Sequence, residues 1–216
     1  MGSVTIKQFT FNPIGEHTYV VSDATGECVI VDPGCLDASE REALWGHIDS
    51  NGLKPRGIWL THLHFDHVWG VRVAEERYGV GVWASAADEA WILGNAEACA
   101  RWNLPAPDTF TISHPTRDGE ILTFGHTEAK VIATPGHSAG SQSFYIAEAG
   151  ACLTGDTLFR QSVGRTDFPG GDSSAIMGSV RDKLLKLPAE TRVLPGHGPE
   201  TTVAEERLYN PYLCAD

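Results

Sequence analysis

The stretch Thr61-His62-Leu63-His64-Phe65-Asp66-His67 places three imidazoles and one carboxylate within six residues, directly after a short apolar run. Side chains repeat every two residues along an extended strand, so His62 and His64 point to the same side. The turn that follows can aim Asp66 and His67 at a neighbouring position. Histidine and carboxylate ligands together suit zinc, iron or manganese. Four such side chains exceed the needs of one tetrahedral site with an open position, so the pattern predicts two adjacent metal ions.

Three further segments carry a candidate ligand beside glycine after a predicted strand. They are Pro135-Gly136-His137, Thr154-Gly155-Asp156 and Pro195-Gly196-His197. Loops at strand ends bring functional groups to one rim of a sheet, and glycine lets the backbone come close to an ion. Asp156 offers two carboxylate oxygens and is therefore the natural bridge between two ions. The full candidate set is His62, His64, Asp66, His67, His137, Asp156 and His197.

The rest of the chain alternates strands and helices in two halves of similar order. Alternating and β-branched apolar runs predict strands at 4–11, 17–22, 27–32, 110–113, 121–124, 130–134, 142–147, 151–154 and 192–194. Helical spacing predicts helices at 39–51, 68–78, 85–102, 173–187 and 201–210. A glycine-rich loop at 155–171 is long enough to be functional. This order favours an αββα sandwich in one domain spanning residues 1–216.

Composition excludes several classes of protein. The chain has 216 residues, 42% of them apolar, and a formal net charge of −12. These values do not fit a collagen, a coiled coil or a disordered chain. The acidic balance argues against a nucleic-acid partner, because few cations are available to displace counterions from phosphates. No window approaches 18 consecutive apolar residues, so no transmembrane helix and no membrane partner are expected.

The cysteine pattern and the N-terminus predict a cytoplasmic protein. Five cysteines are scattered without C-x-x-C spacing, and the first residues lack the apolar core of a secretory signal. The sequence contains no Walker A motif or Rossmann glycine signature, and Ser138 next to His137 is a poor nucleophile–base pair. His47, His114 and His126 lack the glycine and proline neighbours of the candidate ligands, and we interpret them as ordinary surface or turn histidines.

The chain resembles the metallo-β-lactamase superfamily and, within it, the short bacterial glyoxalase II-like (hydroxyacylglutathione hydrolase-like) enzymes. The resemblance covers nearly the whole length and rests on segments 29–34, 61–67, 134–138, 154–159, 164–167, 195–198 and 210–211. It implies a four-layer αββα sandwich of the α/β class. It also implies which residues hold which ion. The first ion would be held by His62, His64 and His137, the second by Asp66, His67 and His197, with Asp156 bridging them.

The resemblance implies a thioesterase that cleaves S-lactoylglutathione or a related S-acyl thiol. Two cations about 3.5–4 Å apart can share a water and lower its pKa toward ~7, which supplies a hydroxide nucleophile. Asp66 would then be a catalytic residue as well as a ligand, because it would also accept a hydrogen bond from that hydroxide. A thiolate leaves without a proton donor, which agrees with the lack of a dedicated general acid. The expected cofactors are two divalent ions, zinc first, with iron or manganese as alternatives.

Two positions bear on the substrate. In the glyoxalase II pattern, a basic residue after the glycine of the long loop holds the glycine carboxylate of glutathione, and Arg165 stands there. The alternative is an arginine paired with Asp167, which replaces the aromatic residue of the family pattern. His17 stands where such enzymes usually have asparagine, and we interpret it as a residue behind or at the rim of the site.

Other functions remain open at this point. Persulfide dioxygenases share the fold and the loop 164–168, but use one iron held by His62, His137 and Asp156. A lactonase is a second alternative, whereas a β-lactamase normally has other ligands in place of His67 and Asp156. A non-catalytic scaffold would be expected to have lost ligands, and none is lost. Only 19 residues follow the last ligand, too few for a separate helical C-terminal domain, and we expect a monomer or homodimer.

Overall fold

The computed structural model describes residues 3–213 and contains two six-stranded sheets that pack face to face. The first sheet has the spatial order β1 (Thr5–Phe11), β2 (Glu16–Ser22), β3 (Glu27–Val31), β4 (Lys54–Trp59), β5 (Val82–Ala84) and β6 (His114–Pro115). The second sheet is built from β7 (Ile121–Phe124), β8 (Thr127–Ala133), β9 (Gln142–Ile146), β10 (Ala151–Gly155), β13 (Arg192–Pro195) and β14 (Thr201–Thr202). Its spatial order is β14-β13-β10-β9-β8-β7. Strands β11 (Leu158–Phe159) and β12 (Ser162–Val163) form a separate hairpin.

Each sheet combines antiparallel and parallel pairs. In the first sheet β1, β2 and β3 form an antiparallel meander, and β3 to β6 run parallel. In the second sheet the only described parallel pair is β10 with β13. Parallel neighbours need a long crossover, which is usually helical. The helices are α1 (Ala38–Ser50), α2 (Phe65–Val68), α3 (Val71–Tyr78), α4 (Ala90–Arg101), α5 (Ser173–Gly178) and α6 (Val203–Tyr209).

Three apolar clusters hold the layers together. Between the sheets, the Trp59 ring lies 5.4 Å from Phe144 and 5.8 Å from Phe124, centroid to centroid. Alternate residues of the first sheet, among them Val20 and Ile30, face the other way and pack against α1 and α3. Strand β2 is therefore buried along its whole length, because both faces of the sheet are covered. A third cluster joins the outer face of the second sheet to α6 and the segment after α5. The predicted αββα sandwich is confirmed.

Several predicted elements have different limits. The helix predicted at 68–78 is two helices that meet near Gly70, where a Cβ would crowd Cys35 and Pro33. The strand predicted at 110–113 is absent, and β6 pairs with β5 directly after it. The predicted loop 155–171 contains the β11–β12 hairpin. The helix predicted at 173–187 continues beyond α5 as a π-helical turn and a 3₁₀ turn, and there the Ser179 hydroxyl donates to the Pro135 carbonyl.

The described cysteines do not form disulfides. Cys28, Cys35, Cys99 and Cys152 are buried free thiols, and Cys214 lies outside the described residues. Within residues 3–213, none of the helices has the length and apolar character that crossing a membrane requires.

Candidate metal centre

The seven predicted ligand residues come together at one rim of the sandwich. They follow the ends of β4, β8, β10 and β13, the strand ends that the glycine and proline neighbours indicate. Candidate ligating atoms fall into groups in which all lie within 4.8 Å of one another. One group is His62, His64 and His137, and another is Asp66, His67 and His197. Both groups take residues from each of the two sheets.

The Asp156 carboxylate lies between the two groups. Its Oδ1 is 3.4 Å from His67 Nε2, and its Oδ2 is 3.6 Å from both His137 Nε2 and His197 Nε2. Asp156 also forms a third candidate group with His62 and His67. This position matches that of a residue shared by two sites.

The polar atoms of the cluster fit a pair of cations. His62 Nε2, His67 Nε2 and Asp156 Oδ1 are buried and have no hydrogen-bond partner. Buried polar atoms are rarely left unpaired, because each costs free energy on folding. In addition, His64 Nδ1 and His137 Nε2 approach to 2.8 Å. Imidazole and carboxylate donors that converge in this way suit divalent transition metals.

Asp32 fixes the orientation of two of these rings. It accepts hydrogen bonds from the Thr61 N–H (2.7 Å), the Thr61 hydroxyl (2.6 Å) and the His67 Nδ1–H (3.1 Å). The Thr61 oxygen in turn lies 3.1 Å from His62 Nδ1, which can donate to it. Both rings therefore direct Nε2 toward the centre of the cluster, the usual arrangement behind metal-bound histidines. Asp32 has a φ of 48°, a backbone conformation uncommon outside glycine, asparagine and aspartate.

Two further carboxyl groups were not predicted as functional residues. Glu16 is fully buried, its Oε1 lies 3.9 Å from His67 Nδ1, and burial raises its pKa well above the usual value. Asp88 accepts hydrogen bonds from the Ser138 hydroxyl and the Gly140 N–H, both at 2.6 Å, and so joins the start of α4 to the loop after β8. Burial raises the pKa of Asp88 as well. Neither residue stands in a distinctive sequence pattern.

His17 lies behind the loop that carries His197. Its backbone N–H donates to the Gly196 carbonyl at 2.7 Å, and its ring Nδ1 is 3.2 Å from the Pro195 carbonyl oxygen. Burial lowers its pKa. His17 is thus a neighbour of the cluster, and the three groups of converging ligand atoms do not include it.

Burial and the neighbouring carboxylates shift the pKa values of the rings in opposite directions. Burial lowers the pKa of His62 well below the usual value and that of His64 to about 3. Burial would do the same to His67, but the carboxylates of Asp66 and Asp156 outweigh it and raise the His67 pKa well above the usual value. Burial would raise the Asp156 pKa, but His67 and neighbouring histidines outweigh it and hold that pKa well below the usual range.

A cavity of about 810 Å³ opens from the cluster between α4 and the segment 159–170. Arg165 lines this cavity, and its guanidinium forms two hydrogen bonds of 2.6 Å with the Asp167 carboxylate. The same guanidinium lies 4.4 Å from the centroid of the Phe168 ring. The Arg165 carbonyl accepts a hydrogen bond of 2.7 Å from His137 Nδ1–H. The backbone of this residue therefore supports a candidate ligand, while its side chain is paired within the loop.

The fold and the cluster together define a metal-dependent hydrolase. Residues 12–197 match the metallo-β-lactamase superfamily, and the chain belongs to this superfamily. It is 35% identical over 213 residues to the probable metallo-hydrolase YqgX of Bacillus subtilis, with 96% of each protein covered. It is 34% identical over 199 residues to the hydroxyacylglutathione hydrolase GloC of Haemophilus influenzae, covering 90% of this chain and 91% of that protein.

Solved structures carry several functional descriptions. The BLEG-1 B3 metallo-β-lactamase superposes with a TM-score of 0.89 at 35% identity, covering 98% of this chain and all of that one. A di-iron form of TTHA1623 gives a TM-score of 0.86 at 39% identity, over 96% of this chain and all of that one. ETHE1 from Myxococcus xanthus superposes with a TM-score of 0.79 at 27% identity, covering 96% of this chain and 83% of that one. The family is thus defined, whereas the described activities of its members differ.

Proposed function

We propose that this protein is a metal-dependent thioesterase that hydrolyses S-lactoylglutathione or related S-acyl thiols. The observation that carries the proposal is the pair of ligand groups joined by Asp156 at the inner end of a substrate-sized cavity. The similarity to a hydroxyacylglutathione hydrolase over nine-tenths of the chain supports the choice of substrate class.

In this proposal His62, His64 and His137 hold one divalent ion, and Asp66, His67 and His197 hold the second, with Asp156 bridging. Ions held by these residues would supply the activation of a water molecule and the polarisation of the acyl carbonyl of the substrate. Zinc is the proposed metal because nitrogen and carboxylate ligands suit it, and iron and manganese are the alternatives.

Asp66 has a second proposed role, in catalysis. Its carboxylate lines the cavity, and its Oδ2 lies 3.1 Å from His197 Nε2. Burial would raise its pKa, but His67 and His197 outweigh burial and lower it, so the carboxylate stays ionised. An ionised carboxylate accepts a hydrogen bond from the attacking water and thereby orients it. The leaving thiol has an ordinary pKa of about 8.5, so it departs as a thiolate without a proton donor.

Arg165 is the proposed substrate-binding residue. Its fork of donors matches a carboxylate such as that of the glycine in glutathione. At present this fork is paired with Asp167, and a substrate carboxylate would have to replace that partner. We also propose that the protein acts in the cytoplasm as a monomer or homodimer, with residues 1–216 forming one catalytic domain.

The test combines metal analysis of the purified protein with a thioesterase assay on S-lactoylglutathione. We expect about two metal ions per chain and thiol release that Asp66→Ala and Asp156→Ala each abolish. Asp23→Asn is the matched control, because this carboxylate also accepts several hydrogen bonds but lies in the turn between β2 and β3. The proposal is wrong if thioesters are stable while a β-lactam or a lactone is opened. It is also wrong if the protein holds one iron per chain and converts glutathione persulfide, dioxygen and water into glutathione and sulfite.

A further inference from the structure

The wall of the cavity formed by α4 is an apolar trough that leads away from the metal centre. Ala90, Gly94 and Ala98 line the cavity at intervals of four residues, so they share one face of the helix. Eight residues of helix rise about 12 Å. Trp91 and Trp102 of the same part of the chain also line the cavity. We call these five residues the α4 trough.

The trough begins at the candidate metal centre. The Trp91 ring lies 4.4 Å from the His64 ring, centroid to centroid, and the Phe168 ring lies 5.1 Å from it on another side. His64 is 6% exposed, lines the cavity, and its Nε2 has no hydrogen-bond partner. If the reacting carbonyl of a substrate lies near the cluster, the part of the substrate bonded to that carbonyl would therefore lie against aromatic rings and small apolar side chains.

The arginines that line the cavity are already paired. Arg101 donates to the Glu97 carboxylate at 2.6 Å, one turn apart on α4. Arg165 is paired with Asp167 at 2.6 Å, and this partner holds the pKa of Asp167 at about 2. The Asp167 carboxylate is consequently ionised at every pH at which the protein would be assayed. A substrate anion would have to share or displace the carboxylate that each arginine already binds.

We propose that the α4 trough binds an apolar acyl chain of medium length, so that the preferred substrates are medium-chain acyl thioesters. This inference rests on the proposed thioesterase function. Cellular thiols that carry acyl groups are polar and charged, so the apolar part of such a substrate is its acyl group. A lactoyl group has three carbons and a hydroxyl, and it would leave most of a trough about 12 Å long unfilled. A longer chain removes apolar surface of both partners from water.

Gly94 offers a substitution that fills the trough. A Cβ at this position meets only the Trp91 ring, at 3.8 Å, which is an ordinary contact. Leucine is also a better helix former than glycine, so Gly94→Leu should fold. Gly46→Leu is the matched control, because Gly46 lies within α1 and a Cβ there meets nothing within 4 Å.

The first experiment measures binding with ligands that cannot be hydrolysed. S-Methyl-, S-hexyl- and S-decylglutathione are titrated by calorimetry into the metal-loaded and the metal-free protein. Each buried methylene should tighten binding about fourfold until the trough is filled. We expect Gly94→Leu to lower the ratio of the S-decylglutathione affinity to the S-methylglutathione affinity at least tenfold. Gly46→Leu should leave that ratio unchanged. Equal affinities for the three ligands, or an unchanged ratio in Gly94→Leu, would overturn the proposal.

The second experiment measures turnover of glutathione thioesters with acetyl, lactoyl, hexanoyl and decanoyl groups. We expect kcat/KM to rise at least tenfold from lactoyl to decanoyl. Hydrolysis without any preference for chain length would overturn the acyl-chain proposal and leave the thioesterase function standing. If none of the thioesters is hydrolysed, the thioesterase function is wrong, and with it the assignment of the trough to an acyl group. The calorimetric series then shows whether the trough binds apolar chains of another kind.

Discussion

Replacing Asp32 by asparagine should disturb both groups of candidate ligands without changing the shape of the chain. Asparagine is isosteric with aspartate and tolerates the φ of 48° at this position. Its oxygen can still accept from the Thr61 N–H, at 2.7 Å. The opposite orientation of the amide is disfavoured, because it would place the NH₂ group against the Thr61 N–H and both groups are donors.

The consequence is a change in the protonation of two rings. The new NH₂ group lies where the carboxylate accepted from the Thr61 hydroxyl at 2.6 Å and from His67 Nδ1–H at 3.1 Å. His67 Nδ1 must then accept, so its proton moves to Nε2. The Thr61 hydroxyl now accepts from the amide, so it must donate its own proton to His62 Nδ1, 3.1 Å away. The proton of the His62 ring therefore moves to Nε2 as well. Each group of ligands loses the lone pair of one Nε2.

The expected loss in metal affinity is at least the 10–100-fold measured for hydrogen-bond partners behind metal ligands. This range corresponds to about 1.4–2.8 kcal/mol of binding free energy. The metal-free protein should lose about 1–3 kcal/mol of unfolding free energy, because buried hydrogen bonds to a charged group are replaced by weaker ones.

Metal affinity is measured by competition with a chromogenic chelator, and the tautomers by nitrogen chemical shifts of the imidazoles. Urea unfolding of the metal-free protein gives the change in stability. Asp23→Asn is again the control and should keep the metal affinity of the unchanged protein. The reasoning is refuted if Asp32→Asn binds metal normally, or if its weaker binding occurs with the His62 and His67 tautomers unaltered.

Three other predictions concern the loops and the thiols. Gly196→Ala should lower metal affinity at least tenfold, because a Cβ there would overlap Asp156 Oδ1. The circular dichroism spectrum should not change. Normal metal content by elemental analysis would contradict this prediction. Asp167→Asn should lower the KM for S-lactoylglutathione about threefold, since the exposed ion pair that competes with the substrate carboxylate is lost. The KM for a thioester without a carboxylate should not change. Burial raises the pKa of Cys28 and Cys35 to about 12. Neither thiol should therefore be alkylated by iodoacetamide at pH 8 until urea unfolds the protein, as read by mass spectrometry of each site.

The convergence of the candidate ligands could be predicted from sequence because its signals are local. Two histidines spaced two apart after an apolar run, and glycine beside each of His137, Asp156 and His197, are visible in a few residues each. The glycines are needed where they stand. Gly155 has a φ of 49°, and a Cβ at this position would overlap the Thr61 side chain.

The supporting carboxyl groups could not be predicted because their partners are distant in sequence. Asp88 accepts from Ser138, fifty residues further on, and its own neighbours form an ordinary helix start. Glu16 reaches His67 only because the start of β2 packs against α2 in the folded chain. The strand predicted at 110–113 has the expected apolar residues, but the hydrogen-bonded pairing with β5 begins one residue later, at His114.

The division of the candidate ligands between the two sheets would connect metal supply to the lifetime of the protein. The segment after β4 supplies four of the seven side chains and the second sheet supplies the other three, so neither half of the molecule holds a complete ligand group. An ion that binds only the assembled sandwich stabilises it by about 2.7 kcal/mol when its free concentration is one hundred times its dissociation constant. Starvation for the metal would then lower activity and also expose the chain to proteases, so that abundance follows the nutritional state of the cell.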